Sequence, residues 1–167
     1  MITFQSVGIR SVNISNVRTS SQSAAPTFGV STRYPSYTPA AEFSGVTRSA
    51  DGMDALKQDN KGEIKVQVLN SKQALRDLWS DLGQKPANLP AVNFKTQAVI
   101  VASSEANGAT LKQDSLTYDG GDPKHQSFLY LTKQPAGIST SQVSFSWYLA
   151  VVPKDRVQVL PHVEIRP

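Results

Sequence analysis

Cysteine is absent from all 167 residues. That excludes disulfide staples, thiol catalysis and cysteine-based zinc sites, and also an acylated lipoprotein anchor. Long apolar runs are missing too, and no window approaches the ~20 residues of a membrane span. Histidine is scarce: His125 and His162 are the two, and neither has a partner at helical metal-ligand spacing. There is no Gly-x-Ser-x-Gly elbow, no phosphate loop and no Gly-x-Gly-x-x-Gly fingerprint. Asp119-Gly120-Gly121-Asp122 lacks the alternating oxygens and closing glutamate of a calcium loop and reads as a turn. No basic stretch followed by an apolar core opens the chain, so a cytoplasmic location or export by a non-classical route is expected. Together these absences predict a protein that is not an enzyme and that uses no metal or cofactor.

Charge is sparse at 18% of residues, and the net charge is only +4. Its distribution says more. Residues 1–50 hold Arg10, Arg18, Arg33 and Arg48 against Glu42 alone, with no lysine. A nucleic-acid module clusters its cations, and these arginines are well separated. Nucleic acid is therefore not the expected partner.

What fills residues 2–21 is a five-residue pattern: ITFQS, VGIRS, VNISN, VRTSS. Three of the four units have an apolar-x-apolar core, Ile2/Phe4, Val7/Ile9 and Val12/Ile14, which is a short strand signal. An odd period flips the apolar face from one unit to the next, so the units do not make one straight amphipathic strand. They predict an extended, β-prone arm that is too poor in apolar residues to fold alone. The stretch TFGVSTRYPSYTPAAEF (27–43) follows. Pro26, Pro35 and Pro39 exclude a helix or central strand there. Residues 22–61 read as linker with docking aromatics. Arginine and aromatic residues are typical interface anchors. Ile2, Phe4, Ile9, Phe28, Arg33, Tyr34, Tyr37 and Phe43 are accordingly the candidate partner-binding residues.

From Gly62 the pattern changes. GEIKVQVL (62–69) alternates, with Ile64, Val66 and Val68 on one face. In NSKQALRDLWSDLG, Asn70 is the expected N-cap with Gln73 in the capping-box position, and Gly83 the C′ residue. Leu75, Leu78, Trp79 and Leu82 form one stripe, whose burial would contribute roughly 1.5–3 kcal/mol per side chain before entropy. The run AVIVA predicts a strand buried on both faces. Further strands are expected at 109–120, 127–133, 143–152 and 157–165. In the strand at 143–152, Val143, Phe145, Trp147, Leu149 and Val151 point inward and Ser144 and Ser146 outward. Pro161 places the last strand at an edge. Trp79 and Trp147 read as core.

The order of strand, helix ALRDLWSDLG, LPAVNFKTQAVIVAS and a meander ending WYLAVVPKD resembles the C-terminal domain of the PrcB family, over residues 66–165. That family is named for a lipoprotein that binds and stabilises a secreted protease complex. Where the family has a Gly-Gly-Tyr-like stretch after the buried strand, this chain has Asn107-Gly108-Ala109-Thr110. The resemblance implies a small, β-rich, non-catalytic domain that binds a protein partner.

The expected architecture is α+β and mostly β: a curved antiparallel sheet or small barrel with one packed helix at 62–167, preceded by an extended arm at 1–61. The expected function is structural: a non-enzymatic assembly protein whose arm docks on a partner or on a copy of itself. The alternative is a PrcB-like accessory domain that binds and stabilises or inhibits a protease.

Overall fold

Two strands organise the molecule because both are apolar on both faces. They are β3 (Gln97–Glu105) and β6 (Phe145–Pro153). In the computed structural model, which describes residues 34–58, 63–105, 108–121, 123–135 and 143–167, they lie side by side in antiparallel register, with Val99 opposite Val151 and Val101 opposite Leu149. A strand buried on both faces needs a layer on each side. Above lie the helices α1 (Ala50–Ala55) and α2 (Lys72–Asp81), and below lies a second sheet.

The central sheet runs β1-β6-β3-β2, with β1 at Ala41–Thr47 and β2 at Lys65–Leu69. The second sheet runs β4-β5-β7, with β4 at Thr110–Asp119, β5 at Gln126–Gln134 and β7 at His162–Arg166. All pairings are antiparallel except β5 with β7. The fold is thus α+β and mostly β with one main packed helix, and its curvature is resolved into two stacked sheets.

Two cores result. Leu75, Leu78, Trp79 and Leu82 of the helix stripe meet Val99, Val101, Phe145, Trp147 and Leu149. On the other face Ala98, Ile100, Tyr148, Ala150 and Val152 meet Leu111, Leu116, Leu129, Leu131 and Val163 of the second sheet. The inward set expected on β6 is therefore only half of what the strand buries. Ser144 and Ser146, expected outside, are fully buried, and Val143 is 52% exposed instead. The serines are tolerated because each has a partner. Ser144 Oγ accepts from the Gly108 amide at 2.7 Å, and Ser146 Oγ donates to the Ala109 carbonyl. These bonds fasten the β3–β4 connection onto β6.

The ends of α2 follow local rules. Ser71, not Asn70, is the N-cap, and its side chain accepts from the Ala74 amide at 3.2 Å. The one-residue shift takes Gln73 out of the capping-box position, and its amide donates to Asp77 instead. Gly83 adopts φ +74° as the C′ residue. Its amide bonds to the Ser80 carbonyl and the Gln84 amide to the Trp79 carbonyl, which is the Schellman closure. Pro161 directly precedes β7, which lies at the edge of the second sheet as expected.

The reading of 22–61 as linker needs correction. The described chain enters the fold at residue 34, and residues 34–167 form one compact unit. Within the supposed linker, β1 pairs with β6 along its whole length and α1 is a capped helical turn. The alternation Ala41-Glu42-Phe43-Ser44 was the available signal, masked by Pro39 and by Gly45. Gly45 is there for a steric reason. It lies opposite Trp147, and a Cβ at that position would sit 2.6 Å from the indole ring.

Candidate partner-docking cleft

Strand β1 is one edge of the central sheet and β4 one edge of the second sheet. The two edges lie on the same side of the molecule, because the chain crosses between them. Residues 35–37 run antiparallel along the far end of β4. The Tyr37 amide bonds to the Leu116 carbonyl, and the Tyr118 amide to the Pro35 carbonyl, both at 3.0 Å. The chain then steps across, and the Ala40 amide bonds to the Val151 carbonyl at 2.8 Å as β1 begins. Residues 110–115 of β4 receive no strand partner on this edge among the described residues. A register shift between Gln113 and Ser115 marks a bulge that separates the two stretches of β4.

Between the open edges lies a cleft of about 310 Å³. One wall is Glu42, Phe43 and Ser44 of β1, and the other is Thr110 to Gln113 of β4. Tyr148 forms the floor, with its hydroxyl 2.9 Å from Glu42 Oε1 and 3.1 Å from Gln113 Oε1. A phenol has one proton to donate, and the carboxylate is the stronger acceptor. Burial, then the hydrogen bond to Glu42, hold the Tyr148 hydroxyl well above the usual phenol range. It is a fixed neutral donor that ties β6 to β1 within the central sheet. Above it, Glu42, Ser44 and Lys112 are exposed. The cleft offers unpaired strand edges and a carboxylate. That combination suits an extended peptide more than a small reactive substrate.

Of the eight candidate anchors, Ile2, Phe4, Ile9, Phe28 and Arg33 lie outside the described residues. The other three pack within the domain, which corrects their reading as outward-facing anchors. Tyr34 stacks on Phe128 at 5.5 Å between ring centroids, with the rings 6° apart. The Tyr37 hydroxyl is 2.6 Å from Ser127 Oγ, and its ring lies under the Arg156 guanidinium. Burial raises the Tyr37 phenol above its ordinary range, against the opposing effects of the Ser127 hydrogen bond and the Arg156 charge. Phe43 meets Trp79 edge-on at 5.5 Å. The physical reason is the β1 alternation, which turns Phe43 toward the helices, and the 35–37 pairing, which brings both tyrosines against β4 and β5. These aromatics fix the root of the arm.

Sequence reasoning missed Glu42, Gln113 and Tyr148, since only tertiary structure brings the three together. His162 lies 3.1 Å from Glu164 on exposed β7, and His125 sits in the turn before β5. In that turn the Gly121 amide donates to Asp119 Oδ1. Among the described residues no three metal-ligating side chains are gathered, and no helix is long and apolar enough to cross a membrane. No protein-family model matches the chain, and no curated protein or solved structure matches it at a significant level.

Proposed function

We propose that this protein is a non-enzymatic assembly protein that docks through residues 1–33 onto a protein partner, with a second copy of itself as that partner. The observation that carries the reading is the anchored root. Residues 34–47 are fixed to both sheets by the Tyr34–Phe128 stack, the 35–37 pairing and β1. A pull on residues 1–33 is thereby transmitted to the core. The β-prone units in that segment suit main-chain pairing with an open sheet edge, which tolerates a weak side-chain pattern. The test is sedimentation of the full chain beside residues 34–167 over a concentration range. Concentration-dependent association of the full chain that is lost in 34–167 is the expected result. Monomers in both cases would remove self-assembly as the function.

A second reading is a PrcB-like accessory domain that binds and stabilises or inhibits a protease. Its support is that the cleft is built wholly from residues 42–148 and needs no arm. That reading expects 34–167 alone to retain a protease from solution. Binding that appears only with residues 1–33 present would count against it.

A further inference from the structure

We infer that the outer edge of β1 is a site for an extended peptide bearing a tyrosine, whose side chain enters an aromatic cavity between β1 and the connection that follows α2. The inference deepens the peptide reading of the cleft and rests on it, and it makes no use of residues 1–33.

Two cavities flank this edge, one on each face of the central sheet. Glu42 and Ser44 stand opposite Ala150 and Tyr148, share their face, and border the cleft already described. Phe43 and Gly45 stand opposite Leu149 and Trp147, on the side of the helices. There a second cavity of about 390 Å³ is lined by Phe43, Ser44, Trp79, Gln84, Asn88 and Trp147. Phe43 and Ser44 border both cavities, so the β1 edge lies between them. Among the described residues this edge has no strand partner. Side chains of a strand alternate between its two faces. A peptide paired to β1 therefore sends every second side chain toward the aromatic cavity and the others toward the cleft. Main-chain pairing then supplies affinity and the two cavities supply specificity.

The chemistry of the aromatic cavity selects the side chain. Phe43, Trp79 and Trp147 form its apolar wall, meeting edge-on at 5.5 and 6.1 Å between ring centroids. Their two indole N–H groups differ. Trp79 Nε1 donates to the Lys85 carbonyl at 3.0 Å, whereas Trp147 Nε1 is buried without a partner among the described residues. Gly45 sets where that group points. A Cβ on Gly45 would lie 3.1 Å from Trp147 Nε1, so the N–H edge of the indole occupies the gap that the glycine leaves, beside Phe43 and Ser44. A glycine inside a strand marks such places of close approach. The peptide residue opposite Gly45 meets this edge of the indole. A buried donor without an acceptor is costly, so the incoming side chain has to bring an acceptor as well as apolar surface. Among the described residues no charged side chain lines this cavity, and a carboxylate or ammonium would lose its hydration there with nothing to offset it. A tyrosine meets both needs. Its ring lies along the aromatic wall, and its hydroxyl accepts from Trp147 while donating to the side-chain carbonyl of Gln84 or Asn88. The cleft on the other face, with Thr110, Lys112 and Gln113, takes the polar neighbours of the tyrosine.

The chain has two tryptophans and both line the aromatic cavity, so their fluorescence reports on it. The blocked pentapeptide Thr-Val-Thr-Tyr-Thr, and versions with phenylalanine or alanine in place of the tyrosine, are titrated into the full chain by calorimetry, with tryptophan emission read alongside. The tyrosine peptide is expected to bind about 3–10-fold more tightly than the phenylalanine peptide, the effect of one hydrogen bond, and to shift the emission. The alanine peptide should bind more weakly still and leave the emission unchanged. Asn88→Phe, at an exposed position, fills the cavity and should erase the ranking. Trp147→Phe removes the donor and should erase the preference for tyrosine over phenylalanine. Where Trp147→Phe does not fold, Asn88→Phe decides, with circular dichroism matched to the parent. Equal affinity for the three peptides would overturn the inference and leave the cleft as a peptide site. A ranking that survives Asn88→Phe would overturn it too, because the tyrosine would then sit elsewhere. No binding of any of the three would remove both the inference and the peptide reading of the cleft.

Discussion

At the scale of single residues, close packing sets the tightest constraints. Gly45 touches the Trp147 indole, whose N–H is itself buried without a hydrogen-bond partner among the described residues. Trp147 is held by Trp79 and the helix layer. Gly45→Ala should therefore destabilise the protein by about 1–3 kcal/mol through overpacking, read from the midpoint of urea unfolding. Tyr148 adds a pH signature. An unfolded tyrosine ionises near pH 10, while burial and Glu42 keep the folded phenol protonated above that. The unfolded state thus binds fewer protons above pH 10, and stability falls as pH rises past it. The slope is at most ~1.4 kcal/mol per pH unit for each such tyrosine. Tyr37 contributes in the same direction. Tyr148→Phe should cost about 1 kcal/mol at neutral pH by removing the hydrogen bond. It should also flatten the alkaline decline relative to the parent, and an unchanged decline would exclude Tyr148 as its source.

At the scale of elements, the caps of α2 separate a local rule from its near miss. Asn70 and Ser71 are both good N-cap residues, and the sequence does not choose between them. The structure chooses Ser71, whose extended backbone lets its hydroxyl reach the Ala74 amide. Ser71→Ala should cost about 1 kcal/mol, and Asn70→Ala only a few tenths, in thermal or urea melts. Equal costs would mean that the cap is shared. Strand β1 makes the complementary point. Its pairing with β6 is set by Gly45 opposite Trp147 and by Phe43 against Trp79, contacts made with residues far away in sequence. Only a weak alternation marked it, in a stretch rich in proline.

At the scale of the whole molecule, the boundary between arm and domain is a testable quantity. Residues 41–56 supply a sheet edge, a capped helix and the buried Leu56. A chain beginning at residue 62 loses all three and exposes Phe145, Trp147 and the apolar face of β6. It should unfold or aggregate, while a chain beginning at residue 34 should unfold cooperatively. Circular dichroism melts of the two truncations distinguish them, and a stable 62–167 fragment would show that β1 is dispensable.

The sequence by itself determined the elements whose signals are local: the helix stripe and its Gly83 terminus, the doubly apolar β3, the edge position of β7 and the Asp119-Gly121 turn. Periodicity and turn chemistry are properties of neighbouring residues, and they survive in one dimension. What only the tertiary structure decided was the pairing across distance. It buried Ser144 and Ser146 under the β3–β4 connection, turned Tyr34, Tyr37 and Phe43 inward, and closed Glu42, Gln113 and Tyr148 around one cleft. Each outcome depends on which strand lies beside which, and that is fixed by satisfying both faces of β3 and β6 at once, a condition no single segment carries.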